Sequence, residues 1–320
     1  MSLLLEFLKI AIYPGVLFII VFSLFLEWLD RKIYAHSQHR IGPLYIGPHG
    51  ILQPFADILK LISKEDITPP HVDKSFFMLA PPVLLYLAIL GMFMIPLGAL
   101  GEPYALLSFE GDYLVVLTIT TLITAFVFAG SWASFNRFSA LGSIRALLLM
   151  VGYEVPLFLC AAAVALDAKT LCLSRIALIQ STSPWFIVMQ PIGFIISLIA
   201  LQAELERIPF DIPEAETEIV AGWLTEFSGK KLAMIRLAHD IELFLLASLI
   251  VTLYLGGPWG PMGPSALWFI LKVIFVIFLS SILRALFARY RIEQAITFFW
   301  KYIIPLSLLQ VFIALLIPLV

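Results

Sequence analysis

The chain is poor in charged residues. Of its 320 residues only 13% are Asp, Glu, Lys or Arg, whereas soluble domains carry about 25%. Hydrophobic residues make up 61% of the sequence, and the mean hydropathy is +1.01. A chain of this composition is too apolar for a soluble domain, so the sequence predicts a protein that crosses a membrane several times.

Several classes of site are missing from the sequence. The two cysteines, Cys160 and Cys172, form no CxxC pair, and two thiols are too few to hold an iron–sulfur cluster. There is neither a GxGxxG nor a GxxxxGK[ST] motif, so no nucleotide site is indicated. The net charge of −2 includes no basic patch of the size that nucleic acid requires. We therefore predict no metal site, no catalytic residue, no cofactor bound by this chain alone, and no nucleic-acid partner.

Apolar runs of about 20 residues predict an all-α polytopic protein that forms a single membrane domain over residues 1–320. No alternating ten-residue pattern favours a barrel. The first apolar run lacks a preceding basic region and a small-residue cleavage site, so we expect a retained span rather than a signal peptide. The eight predicted spans are roughly 5–28, 75–99, 112–133, 141–167, 184–204, 232–255, 266–288 and 295–318.

Lysine and arginine are concentrated in the loops that follow spans 1, 3, 5 and 7. Because such residues are retained on the inner side of a membrane, the odd-numbered loops are predicted to be cytoplasmic. Both termini would then lie outside, and the protein would be a multi-pass component of the plasma membrane. The residues concerned are Arg31, Lys32, Arg40, Lys60, Lys64, Lys74, Arg137, Arg207, Lys230, Lys231, Arg289 and Arg291.

The first cytoplasmic loop, residues 30–74, is long enough to indicate a function. Within it, Leu52, Phe55, Leu59 and Ile62 recur at helical spacing among polar residues. This pattern predicts an amphipathic helix over about 51–64 that lies on the membrane surface. The helix would be either a simple interfacial anchor or part of a docking face or pocket.

The second notable loop, residues 202–231, carries seven of the chain's 22 acidic residues. Each carboxylate would cost about 2.5–3.5 kcal/mol at the centre of a bilayer, so the segment cannot lie in lipid. Phe210 and Trp223 are interleaved with the acids, and Arg207 lies among them as a possible partner. We therefore predict an acidic cytoplasmic loop that is partly enclosed rather than simply solvated.

Ionisable residues also occur inside predicted spans, where they usually indicate a function. Glu154 lies in span 4 without a basic residue nearby in sequence, which favours a role in proton exchange. His239, Asp240 and Glu242 open span 6 together with Arg236. Arg236 and Asp240 are four residues apart, so they could also simply neutralise each other.

Five motifs resemble, in order, one family of membrane subunits. They are DRKIYAHSQHRIGP, GILQPFADILKLISKE, LGSIRALLLMVGYEVPL, AELERIPFDIPEAETEIVAGWLTEFSG and FARYRIEQAITFFWKYIIPL. The family is that of membrane subunit 1 of respiratory complex I, the NADH:quinone oxidoreductase. It includes the related membrane subunits of archaeal membrane-bound hydrogenases and sulfane sulfur reductases. The resemblance covers nearly the whole chain.

The resemblance implies a membrane subunit of an energy-converting oxidoreductase that links redox chemistry to proton or sodium translocation. Implied partners are peripheral iron–sulfur subunits, antiporter-like membrane subunits and the lipid membrane, with quinone as a possible ligand. The implied proton path comprises Glu154, Glu204, Asp211, Glu214, Glu216, Glu218, Glu226, His239, Asp240 and Glu242. The implied chamber entrance or docking face comprises Arg31, Arg40, Asp57, Lys60 and Arg207.

Some positions depart from the family pattern. Glu206 stands where the family usually has Asn, Leu44 stands where Asn is common, and His239 replaces an acidic residue of the path. These departures leave open a quinone-independent member of the family, such as a sulfane sulfur reductase or hydrogenase subunit. Two other classes also stay open, a stand-alone secondary ion transporter and a purely structural anchor for a peripheral enzyme.

Overall fold

The computed structural model describes residues 9–261 and 264–316. Its α-helices are α1 Val16–Ser37, α2 Gln53–Ser63, α3 Lys74–Phe93, α4 Asp112–Trp132, α5 Arg137–Ala168, α6 Leu173–Thr182, α7 Phe186–Met189, α8 Pro191–Glu204, α9 Glu216–Ile219, α10 Gly229–Tyr254, α11 Ser265–Leu286, α12 Ile292–Phe298 and α13 Ile304–Leu316. A π-helical turn, Phe299–Ile303, joins α12 to α13, and short 3-10 turns cover Pro48–Gly50 and Gly222–Leu224. The strands are β1 Gly98–Leu100 and β2 Glu102–Tyr104.

Six helical stretches of the described residues are long and apolar enough to cross a membrane. They are Lys9–Ser37, Lys74–Phe93, Asp112–Trp132, Arg137–Ala168, Ser265–Leu286 and Ile292–Leu316. Helices α8 and α10 occupy the other two predicted spans. The prediction of an all-α polytopic membrane protein is confirmed. The outer ends of the first and last predicted spans, 5–8 and 317–318, lie outside the described residues.

The predicted span 184–204 is not one continuous helix. Helix α7 ends at Met189, and α8 begins at Pro191, which has no N–H to continue the preceding turns. The interrupting residue, Gln190, is fully buried and donates from Nε2 to the Ala163 carbonyl at 3.1 Å. Helix α8 therefore has 14 residues and is about 21 Å long, shorter than the hydrocarbon core of a bilayer.

Two elements near the opposite loops were not predicted. Helix α3 ends at Phe93 rather than 99, and the following residues form an antiparallel hairpin of β1 and β2. Gly101 supplies the turn with a φ of +88°, a value that glycine adopts without steric cost. Helix α6 is likewise absent from the prediction because its ten residues are too few and too polar to resemble a span.

Helix α10 forms the centre of the bundle. It packs against α1, α2, α3 and α11, and every residue from Ile241 to Tyr254 is buried. The rings of Phe22 on α1 and Phe244 on α10 meet edge to face, with centroids 5.0 Å apart. A helix that is enclosed on all sides can hold its ionisable residues away from lipid, which matters for the site below.

The loops after α1, α4, α8 and α11 meet at one end of the bundle, here called the polar end. The Asp73 N–H donates to the Ala133 carbonyl, and the Tyr290 N–H donates to the Pro209 carbonyl, both at 2.9 Å. At the opposite end, the Ala99 N–H donates to Ser265 Oγ at 2.8 Å. The long first loop and the acidic loop are therefore neighbours.

The predicted surface helix is present as α2. Pro54 lies in its first turn, where a missing N–H is harmless, and is buried. The side chains of Leu52, Phe55, Leu59 and Ile62 are each about half exposed and form an apolar outer face. What covers that face stays a prediction, since the helix could rest on a membrane or on a partner.

A candidate charged chamber and its acidic branch

The polar end encloses a cavity of about 560 Å³, here called the chamber. Its walls come from α1, α2, the loop after α8, α10 and α11. One part of the lining is apolar and consists of Pro54, Ile58, Leu61, Leu205 and Ile208. The other part is polar and consists of Glu27, Arg31, Asp57, Glu206, Arg207, Asp211, Glu214, Thr217, Arg236, His239, Asp240, Arg284 and Arg289.

Arg31 connects the two helices that form one wall of the chamber. Its Nε lies 2.6 Å from Glu27 Oε1, one helical turn earlier on α1. Its Nη1 lies 2.7 Å from Asp57 Oδ2 on α2. A guanidinium group can donate in two directions from one plane, so Arg31 holds α2 against α1.

Asp30 is the centre of a buried ion-pair cluster at the base of this wall. Its side chain is fully enclosed, and its oxygens lie 3.2 Å from Arg207 Nη1 and 3.2 Å from Arg284 Nη1. Ser281 Oγ donates to Asp30 Oδ1 at 2.6 Å. A buried carboxylate requires such partners, and here they join the acidic loop and α11 to α1.

Close backbone contacts fold the acidic loop back on itself. Gly222 has a φ of +53°, and a Cβ there would lie 1.8 Å from the Pro213 carbonyl oxygen. A Cβ on Gly142 of α5 would lie 2.5 Å from the Trp223 amide nitrogen. Only glycine fits these approaches, and together they direct the Trp223 side chain into the interior.

Trp223 in turn positions Glu206. The indole Nε1 donates to Glu206 Oε2 at 2.7 Å. Burial raises the pKa of Glu206 well above its usual value, and the nearby Glu214 carboxylate raises it further. Glu206 is therefore a proton-holding group in the chamber wall. The sequence analysis treated it only as a departure from the family pattern.

A second, narrow cavity of about 30 Å³ adjoins the chamber and is here called the acidic branch. Four residues line both cavities, namely Glu206, Glu214, Arg236 and His239. The branch then reaches Glu204 and Glu242. One water needs roughly 10–15 Å³ of such volume, so the branch has room for one or two waters between polar groups.

The acids at the inner end of the branch have few partners. Glu204 is 6% exposed, and neither of its carboxylate oxygens accepts a hydrogen bond from the described residues. Thr120 lies beside it but donates its own proton to the Leu117 carbonyl at 2.8 Å. Glu242 is buried, with its Oε2 3.5 Å from His239 Nδ1. Such an acid can exchange a proton with an ordered water.

Glu154 extends this group of acids on α5. It accepts a hydrogen bond from the Thr121 hydroxyl of α4 and is close enough to Glu204 to influence it electrostatically. The next hydroxyl pair, Tyr153 and Thr124, is 3.3 Å apart. Helices α4, α5, α8 and α10 thus bring polar groups together inside the bundle.

Most of the predicted site residues converge on these two cavities. Nine of them line the chamber or the branch, and Glu154 lies beyond. The nine are Arg31, Asp57, Glu204, Arg207, Asp211, Glu214, His239, Asp240 and Glu242. Two further acids, Glu27 and Asp30, belong to the ion-pair cluster but were not predicted.

The other predicted residues lie elsewhere. Arg40 is exposed and donates to Gln38 Oε1 at 2.8 Å, and Lys60 is exposed on α2. Glu218 forms a surface ion pair of 2.8 Å with Arg145, whose hydrogen bond lowers the pKa of the Glu218 carboxyl. Glu226 accepts from the Asn136 amide. The side chain of Glu216 lies outside the described part of the structure.

The fold and the site define a class of protein, namely a polytopic membrane protein whose internal charges surround a polar chamber at one end. The sequence profile of the NADH dehydrogenase family matches residues 9–315, and the chain belongs to this family. Among the described residues no group of three or more His, Cys, Asp and Glu side chains is arranged to hold a metal ion.

Characterised relatives agree with this assignment, and all three named here are the H subunit of an NADH-quinone oxidoreductase. The chain is 39% identical over 312 residues to the relative from Carboxydothermus hydrogenoformans, covering 96% of this chain and 88% of the relative. It is 34% identical over 319 residues to the relative from Syntrophotalea carbinolica, covering 98% and 96%. It is 40% identical over 294 residues to the relative from Bacillus thuringiensis, covering 90% and 87%. The resemblance read from the sequence is thereby confirmed.

Proposed function

We propose that this chain is the membrane subunit of an NADH–quinone oxidoreductase complex, in which it couples quinone reduction to ion translocation. The names of its relatives support the redox partner, and the chamber supports a site for it. Electrons would arrive from iron–sulfur clusters in peripheral partner subunits. Translocated charge would continue into antiporter-like membrane subunits.

The chamber suits a quinone head group by size and by lining. Its volume of about 560 Å³ lies within the range of roughly 300–1,000 Å³ found for small-molecule sites. Ile58 and Leu61 offer an apolar wall to a ring, while Arg31 and Arg207 can stabilise negative charge that develops during reduction. The carboxyl of Glu206, with its raised pKa, can supply a proton to the reduced ring.

The single observation that carries the coupling proposal is the shared wall between chamber and acidic branch. Glu206, Glu214 and His239 face both spaces, so a charge that appears in the chamber acts directly on Glu204 and Glu242. A proton taken up there would pass towards Glu154. In this proposal the polar end faces the cytoplasm, and both termini lie outside the plasma membrane.

The test uses the complex containing this chain, reconstituted into liposomes. NADH-driven quinone reduction and proton uptake would be measured for Glu204→Gln and Glu242→Gln, with Glu226→Gln as the matched control outside both cavities. We expect the first two variants to lose most proton movement per electron pair, while the control retains it. Full translocation by both variants would rule out the branch as the path.

The same preparation separates the alternatives. Extraction of quinone together with iron–sulfur and antiporter-like partners supports the proposal. The same partners without quinone would indicate a quinone-independent member of the family, and isolation of a lone, stable chain would indicate a secondary transporter. Replacing the proton gradient readout with a sodium readout tests which ion is moved.

A further inference from the structure

A second large cavity lies outside the chamber, between α8, α11 and α12. Its volume is about 430 Å³, and it is here called the apolar groove. Aliphatic residues of α8 and α11 form two walls, and the rings of Phe210, Tyr290 and Phe298 form the third. The Tyr290 N–H donates to the Pro209 carbonyl at 2.9 Å, and this bond joins the strip of chain between the groove and the chamber.

The groove opens on the outer surface of the bundle. Ile195 and Phe287 at its rim are 57% and 50% exposed, and they belong to or adjoin helices of the apolar bundle. No charged side chain of the described residues lines it. An occupant must therefore be predominantly apolar and uncharged, because a buried charge without a partner would be strongly disfavoured.

One polar side chain lines the groove and is incompletely satisfied. Gln202 is 1% exposed, and its Nε2 lies 2.6 Å from both the carbonyl oxygen and the Oγ of Ser280. A carbonyl oxygen can only accept, so the amide orientation is fixed and Oε1 faces away from Ser280. Among the described residues nothing donates to Oε1. A buried acceptor without a donor is costly and calls for a partner.

We propose that the apolar groove binds an apolar molecule with one hydroxyl group, whose O–H donates to Gln202 Oε1. The apolar body would lie between the aliphatic walls and the three aromatic rings. Membrane lipids with a free hydroxyl and reduced quinones share this chemistry. The site does not depend on the proposed electron transfer, because it needs only the groove and the unpaired amide oxygen.

The experiment uses membranes that contain the assembled complex. The probes are a photoreactive long-chain alcohol with a diazirine in its chain and the matching methyl ether, which lacks the donor. Labelled positions are mapped by mass spectrometry of peptides covering residues 191–210 and 279–298. We expect the alcohol to label these peptides about fivefold more than the ether, the ratio that one net hydrogen bond provides.

Two variants make the assignment specific. Gln202→Leu should reduce alcohol labelling to the level of the ether, and Ile195→Trp should block both probes by filling the rim of the groove. Leu267→Trp, at an exposed position of α11 outside the groove, is the control and should change nothing. Assembly of each variant is checked by native electrophoresis, and Ile195→Trp carries the test if Gln202→Leu fails to assemble.

The source of the ligand is identified by competition. Displacement of the probe by unlabelled dioleoylglycerol assigns the site to a lipid alcohol, and displacement by decylubiquinol assigns it to a quinol. Displacement by neither would overturn the proposal. Equal labelling by alcohol and ether in the unmodified protein, or labelling that persists in Ile195→Trp, would overturn it as well.

Discussion

Arg207 Nη1 of the acidic loop lies 3.2 Å from Asp30 Oδ1 of α1, and both side chains are buried. The same arginine places its Nη2 3.4 Å from Glu27 Oε2. Two acids on one helical turn thus hold the loop over the chamber. Because buried charges depend on their partners, this contact determines whether the chamber forms at all.

Replacing Arg207 by Ala should strongly destabilise the polar end. Asp30 would retain only Arg284 and the Ser281 hydroxyl, and removing one partner of a buried ion pair typically costs about 3–5 kcal/mol. We expect a lower thermal midpoint and less assembled protein in the membrane. Arg40→Ala is the matched control, since Arg40 is exposed and outside the chamber, and should have little effect. Equal stability of the two variants would contradict the role of Arg207.

Glu206→Gln should change how stability depends on pH. The pKa of Glu206 is raised by burial and by Glu214, so the folded protein holds this proton more tightly than the unfolded chain. Stability from this group is complete below its usual pKa of 4.5 and is lost as the pH rises through the folded value. A neutral amide removes that loss while keeping an oxygen to accept from Trp223.

The measurement is the difference in thermal midpoint between Glu206→Gln and the unmodified protein at about pH 4 and about pH 8. The variant should gain on the unmodified protein as the pH rises, and the two should converge in acid. Glu226→Gln, outside both cavities, serves as the comparison. A difference that does not vary with pH would show that Glu206 titrates normally in the folded chain.

Glu218→Gln should have only a small effect. Its ion pair with Arg145 is exposed, with the Glu218 side chain 52% accessible, and such pairs contribute roughly 0–1 kcal/mol. Because the pKa of Glu218 is lowered, any contribution is present above its usual value of 4.5 and is lost as the pH falls through the folded value. Chemical denaturation at neutral pH and proton pumping should both be close to normal. A large defect in pumping would restore Glu218 to the path from which its exposed position excludes it.

The sequence was informative where composition determines the outcome. Long apolar runs identified the membrane helices, because about 20 residues are needed to span a bilayer. The mixture of acids with Phe210 and Trp223 indicated an enclosed loop, and both side chains are buried. The break at Gln190 was missed because hydropathy counts side chains and ignores the missing N–H of Pro191, although the proline itself was a usable signal.

The ion-pair cluster depended on tertiary contacts that no sequence window contains. Glu27 and Asp30 resembled ordinary charges at the end of the first span, yet their partner Arg207 lies about 180 residues away, as in the Glu27 contact. Arg40 and Lys60 were placed with the chamber because they share a loop with Asp57. Loop membership does not determine direction, and only packing of α2 on α1 and α10 separated Asp57 from the exposed cations.

Lys231→Met should release the end of the long first loop. Its Nζ lies 2.6 Å from Asp66 Oδ1 and 2.9 Å from Thr68 Oγ1, and Lys231 is 3% exposed. Without the ammonium group, Asp66 loses its partner and residues 64–73 should detach more often. Trypsin should then cleave after Lys64 several times faster in the folded protein. Lys230→Met, an exposed neighbour, is the control, and identical cleavage rates for both variants would show that the Lys231 contact does not hold the loop.

Glu154→Gln should preserve assembly and impair ion translocation. Its carboxylate accepts from the Thr121 hydroxyl and lies near Glu204, so it is the next acid that a proton leaving the branch would meet. Glutamine has nearly the same shape and can still accept from Thr121, so packing should be little changed, whereas it cannot bind and release a proton at neutral pH. In liposomes the variant should oxidise NADH but move fewer protons per electron pair, while Thr121→Val, which retains the carboxyl, should pump with a smaller defect. Normal pumping by an assembled Glu154→Gln complex would mean that protons leave Glu204 and Glu242 by another route.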